Sequence, residues 1–102
     1  MPPTAGFRVM LTMRIHPGRG AEFEQAWRAA GAAVSGHPAN LGHRLYLDGG
    51  TEDLYYICSD WIDEEQFRAF ENSPAHLEHR EKLHPYRAEG SIAMMRAVGG
   101  AA

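Results

Sequence analysis

Twelve residues near the end of the chain, AHLEHREKLHPY from Ala75 to Tyr86, gather three of its six histidines together with Arg80. Imidazoles at that density act as metal ligands, haem ligands or acid–base groups, or simply flank a polar helix. Wound as a helix at about 100° per residue, the segment places Leu83, His76, Arg80 and Leu77 in one sector and Glu78, Glu81 and Lys82 opposite. His79 falls on the sector's edge, and His84 is loosened from helical geometry by the proline that follows it. The inner face therefore offers His76 and Arg80 to whatever lies beneath, with His79 and His84 at the rim.

Spacing weighs against a metal. His76 and His79 can share an ion, but zinc takes three or four ligands, and the Arg80 cation stands among the candidates. Cys58 is the only cysteine, without a second thiol for a disulfide or a metal pair, and it sits in an apolar run as a small core residue would. The chain contains neither a GxSxG turn nor a glycine-rich nucleotide loop. Arg80 is the residue that demands a partner. A guanidinium facing a sheet either holds a structural carboxylate such as Asp60 or stabilises an oxyanion in a pocket.

Net charge is −3 and the ten Lys and Arg are scattered among thirteen acids, so nothing resembles the basic stripe of a nucleic-acid binder. Arg8 and Arg14 interrupt the first apolar run, and nowhere do enough apolar residues follow one another for a secretory leader or a membrane span. With a lone cysteine, this points to a cytoplasmic protein. At 44% hydrophobic over 102 residues, one globular domain is expected over residues 1–102, with an ordered core from about 6 to 98.

The elements that must carry these residues follow from periodicity. FRVMLTMRI, Phe7 to Ile15, alternates as a strand; Phe23, Ala26, Trp27, Ala30 and Val34 recur as one face of a helix. Leu41–Leu47 and Leu54–Trp61 flank DGGTED as a hairpin. DEEQFRAFENS opens with acids, as a helix does, and Ser73 and Pro74 start the next helix, which Pro85 ends. Ser91 to Val98 reads as a last strand before a frayed GGAA tail.

Strand, helix, strand, strand, helices, strand is the order of a ferredoxin-like βαββαβ fold of the α+β class, an antiparallel sheet with helices on one face. Met10 and Thr12 on the other face, with Ala93, Met95 and Ala97, favour a homodimer that joins two sheets as a dimeric α+β barrel. Trp61 would end the third strand where the chain enters the helices. Together with Tyr46, Tyr56, His43, His76 and Arg80 it suggests an aromatic-lined cleft with a few polar groups, the usual composition of a small-molecule site.

The succession FRVMLTMRIHPGRGAEFEQAW, LYYICSDWIDEEQFRAFENSPAH and GSIAMMRAV resembles the antibiotic biosynthesis monooxygenase superfamily, small dimeric ferredoxin-like proteins. PANLG, YYICSDW and EHREKLHPYR look most like the small members of bacterial aromatic polyketide pathways. The resemblance implies oxygenation of an anthrone-type phenol to a quinone by O2 with no metal or flavin, in antibiotic or pigment biosynthesis. Trp61 carries over onto the family's tryptophan. From the residues themselves, His43 and His76 are candidate bases, Arg80 the anion stabiliser, and Tyr46, Tyr56 and His79 substrate contacts. A polyketide cyclase would use the same base and enolate stabiliser, and a non-catalytic binding subunit the same cleft. The haem-degrading branch pairs its tryptophan with a first-strand asparagine; here that stretch is Val9, Met10, Leu11 and Thr12.

Overall fold

The computed structural model describes residues 6–100; the first five residues and the last two, which end the expected frayed tail, lie outside the described residues. The chain runs β1 (Phe7–Ile15), α1 (Gly20–Ala30), a one-turn α2 (Ala32–Ser35), β2 (Asn40–Leu47), β3 (Leu54–Trp61), α3 (Glu64–Glu71), α4 (Pro74–Leu83), a 3-10 turn (His84–Tyr86) and β4 (Arg87–Arg96). The four strands form one antiparallel sheet in the order β2-β3-β1-β4. The fold is ferredoxin-like α+β, as the element order implies. Among the described residues no helix is long and apolar enough to cross a membrane.

Alternation decides which side of the sheet is covered. Phe7, Val9, Met13 and Ile15 of β1 and Tyr55, Ile57, Ser59 and Trp61 of β3 are buried under the helices. Arg8, Met10, Thr12, Tyr56, Cys58 and Asp60 occupy the opposite face, where Arg8 donates to the Asp60 carboxylate at 2.7 and 3.1 Å. Asp60 is thus not the partner of Arg80: a residue of even number on β3 points away from the helices.

The apolar side chains form two clusters. Phe7, Val9, Val34, Ala39, Trp61, Phe67 and Phe70 pack at one end of the sheet, and Met13, Ile15, Phe23, Tyr55, Ile57 and Leu83 at the other. Gly20 is needed for the second: a Cβ there would lie 2.7 Å from the Tyr55 hydroxyl, which donates to Glu24 at 2.6 Å. Helix starts are capped as the sequence suggests. Asp63 accepts from the Gln66 N–H at 2.8 Å, and Ser73 from the His76 N–H at 3.3 Å with Pro74 in the first turn.

Several boundaries move, among them the end of the last strand, at Arg96 instead of Val98. The first helix breaks at Gly31 instead of running through to Val34. The last strand begins at Arg87, four residues earlier than its alternation shows, because a bulge between Arg14 and Ile15 of β1 and their β4 partners breaks the period. Replacing the exposed cap, Asp63→Ala, should cost about 1 kcal/mol in urea unfolding; an unchanged midpoint would show that the bond to Gln66 contributes nothing.

Candidate active site

The two core clusters do not meet under α4. Between them lies a cavity of about 320 Å³ whose floor is Val9, Leu11, Met13, Ile57 and Ser59 and whose end wall is Trp61, Phe67 and Phe70. Such a volume is at the lower end of the range for small-molecule pockets, roughly 300–1,000 Å³. α4 and the turn after it supply the roof, His76, His79, Arg80, Leu83 and His84, and Arg87 of β4 lies along the sheet side.

His79 holds the roof in place. It is only 8% exposed, and its Nδ1 lies 3.0 Å from the carbonyl oxygen of Ala30. A carbonyl only accepts, so Nδ1 carries the proton and donates, which leaves Nε2 with a free lone pair. The partner exists because α1 breaks there: the Val34 N–H turns to the Gly31 carbonyl at 3.1 Å, and the last carbonyl of α1 takes its hydrogen bond from another element.

Two further imidazoles flank it. The His43 ring lies 6.2 Å from that of His79, edge to face, and 4.8 Å from Trp27. His76 lies 6.3 Å from His79 on the other side and 4.9 Å from Phe70. Burial pushes the His43 pKa from 6.5 down to about 4, and the neighbouring His79 adds to the shift. Burial also lowers His76, helped by His79 and Arg80. For His79 burial again lowers the pKa, but the Ala30 hydrogen bond opposes it. Glu71 opposes the shift at His76 in the same way; at neutral pH His43, His76 and His79 are therefore uncharged, and of the three His79 has its ring oriented by a hydrogen bond.

Trp61 is 1% exposed and its Nε1 donates to the Ser59 hydroxyl at 2.9 Å. It is a wall, with its donor already occupied. His76 Nδ1, like Trp27 Nε1 and Asn40 Nδ2, is buried without a hydrogen-bond partner among the described residues. Among the described residues no cluster of three or more His, Cys, Asp or Glu could hold a metal ion.

Of the residues singled out from the sequence, His43, His76, His79, Arg80 and Trp61 line this one cavity. Their order of depth differs from the helical arithmetic: His79 is buried and Arg80 exposed at the mouth, because α4 is rolled so that the His79 side, not the Arg80 side, meets α1. Tyr46 and Tyr56 are not in the cavity. They face each other across β2 and β3 on the uncovered side of the sheet, where the Tyr56 hydroxyl donates to Asp48. Ser59, Phe67, Phe70, Glu71 and Arg87 line the site without having been singled out for it. Inward positions on β3 and the apolar face of α3 could have indicated the first three. Nothing local marks Arg87.

The sequence matches the model of the family described as antibiotic biosynthesis monooxygenase over residues 6–82, most of the chain. The chain belongs to the antibiotic biosynthesis monooxygenase family. Among curated proteins it is similar to a mycobilin-producing heme oxygenase of Mycobacterium tuberculosis, 31% identical over 71 residues that cover 67% of this chain and 68% of the relative. Among solved structures, a variant of SnoaB, a cofactor-independent oxygenase from Streptomyces nogalater, superposes with a TM-score of 0.84 over 95% of this chain and 97% of its own, at 21% identity. A Pseudomonas aeruginosa protein superposes with a TM-score of 0.79 over 97% and 100%, at 17% identity. At those identities the structural likeness establishes the fold; the family rests on the sequence match.

The buried imidazoles make stability depend on pH. The folded His43 titrates near 4 and the unfolded chain near 6.5, so between those values the unfolded state holds the extra proton. The contribution is complete above about 6.5 and is lost as pH falls towards 4. Unfolding free energy measured in urea should therefore fall between about pH 7 and about pH 5, and fall less in His43→Phe. An identical slope in the two proteins would mean that the His43 ring is not buried in its neutral form.

Proposed function

We propose that this cavity binds a fused-ring aromatic polyketide of the anthrone type and that the protein oxygenates it to a quinone with O2 and no metal or flavin, in the cytoplasm, for antibiotic or pigment biosynthesis. The observation that carries the reading is His79: a neutral imidazole in an apolar slot, fixed by Ala30 so that its Nε2 lone pair is available. That is the requirement for a general base acting on a weakly acidic phenol or its tautomeric methylene.

In the proposed mechanism the ring system lies between the sheet floor and α4, against Trp61 and Phe70. His79 Nε2 takes a proton, and His43 and His76 supply polar contacts along the same wall. Arg80, at the mouth, favours the resulting anion, with its effect moderated by solvent. The electron-rich anion reduces O2 by one electron and the two radicals combine at the carbon that lost the proton. The peroxide anion takes back the proton from His79, and the resulting hydroperoxide loses water. One atom of O2 becomes the new carbonyl and the other leaves as water, while the substrate supplies all the electrons, so no outside reductant is consumed. Exclusion of water protects the anion from reprotonation.

The heme oxygenase relative motivates a second reading. A histidine with a free Nε2 is present, but the inner face of β1 presents only Val9, Leu11 and Met13 to the slot, where the haem-degrading branch has an asparagine. Titration with hemin should give no Soret shift attributable to ligation; a shift abolished by His79→Ala would favour haem instead.

The protein is further proposed to be a homodimer joined through the uncovered sheet face, where Met10, Cys58, Ala93 and Met95 lie without a helix over them. Sedimentation at micromolar concentration should give about twice the 11.3 kDa chain mass, and a single-chain species alone would sink the dimer.

Incubation with an anthrone under air should give quinone absorbance and matching O2 uptake, with kcat reduced about 10²- to 10⁴-fold in His79→Ala. Turnover without O2 consumption would point to a cyclase. Tight binding with no product from either protein would point to a carrier of the intermediate.

A further inference from the structure

Arg8, Arg14, Arg19, Arg28 and Arg68 each pair with a carboxylate. Four of the nine arginines, Arg44, Arg80, Arg87 and Arg96, make no ion pair among the described residues, and of these four Arg80 and Arg87 line the cavity. The one carboxylate in the lining, Glu71, is held by Arg68 at 3.1 Å. In a chain of net charge −3, the mouth of the site thus keeps two positive charges that no protein group neutralises.

Arg87 is also seated. It faces Ile15 at the first position of β4, and Gly90, opposite Met13, lies on the same inner face. A Cβ at Gly90 would lie 3.0 Å from Arg87 Cδ and 3.2 Å from Nη1. The guanidinium therefore lies over the bare backbone of Gly90, along the cavity floor, where an added side chain would press against it. Arg80 approaches the same opening from α4. A planar guanidinium over the floor of an aromatic slot, with a second cation on the roof, is suited to a carboxylate carried at the edge of a flat ligand.

We propose that the mouth of the cavity is a carboxylate subsite formed by Arg87 and Arg80, and that the natural ligand is an aromatic acid whose ring system fills the slot and whose carboxylate remains at the opening. The proposal rests on this cavity being the substrate site, and not on the oxygenation chemistry. Both guanidiniums are partly solvated, so the preference for the acid is expected to shrink as salt rises.

The test is binding of anthraquinone-2-carboxylate and of the uncharged anthraquinone-2-carboxamide, followed by calorimetry. The acid should bind more tightly. Arg87→Ala should weaken the acid roughly ten- to a hundred-fold and the amide little, the size expected for losing a charge-assisted hydrogen bond. Gly90→Val, which keeps every charge but occupies the seat of the guanidinium, should weaken the acid selectively as well, and a β-branched residue suits a strand. Equal affinity for acid and amide, a parallel loss of both in the variants, or binding of neither overturns the subsite. Acid selectivity in a protein that consumes no O2 with an anthrone leaves the subsite standing and removes the oxygenase reading.

Discussion

The hydrogen bond from His79 to the Ala30 carbonyl ties α4 to the end of α1 within the helical layer and fixes how α4 is rolled over the sheet. α1 stops at Ala30, so a carbonyl is left facing α4, which supplies the donor. Beneath α4 the core is divided into two clusters, Trp61 with its phenylalanines on one side and Phe23 with Tyr55 on the other. The cavity is the space that division leaves.

The same bond sets the chemistry. Binding one ring nitrogen assigns the proton to Nδ1 and leaves Nε2 with a free lone pair, while His43 and His76 stay uncharged for want of solvent. Positive charge is confined to the mouth, on arginines without carboxylate partners. The slot thus has apolar walls, uncharged imidazoles inside and unpaired arginines at its opening. The chain is similar both to a heme oxygenase and to a cofactor-independent oxygenase, so the local make-up of the slot, with apolar Val9, Leu11 and Met13 beneath and three imidazoles beside it, is what separates the readings.

Most of the fold was legible because its signals are local. The alternation of FRVMLTMRI, the DGGTED loop, and the caps Asp63 and Ser73 each specify an element from a few adjacent residues. The site was legible in part. Trp61 and His43 follow from strand parity once Leu54–Trp61 and Leu41–Leu47 are strands, and parity also places Tyr46 and Tyr56 outside, a consequence that their aromatic character concealed. The reversal of His79 and Arg80 was beyond helical arithmetic, since the roll of α4 is set by a carbonyl forty-nine residues away. Arg87 was hidden for a related reason: the bulge before Gly90 breaks the alternation that would have assigned it to the inner face.

The central claim is that the slot under α4, with His79 at its polar edge, is where the substrate reacts. A crystal structure with a bound hydroxyanthraquinone tests it most directly. The account predicts the rings between the sheet floor and α4, against Trp61, with a ring oxygen within hydrogen-bonding distance of His79 Nε2. A ligand seated on the uncovered sheet face, or in the outer groove beside Glu24 and Tyr55, with the slot under α4 empty, would contradict it.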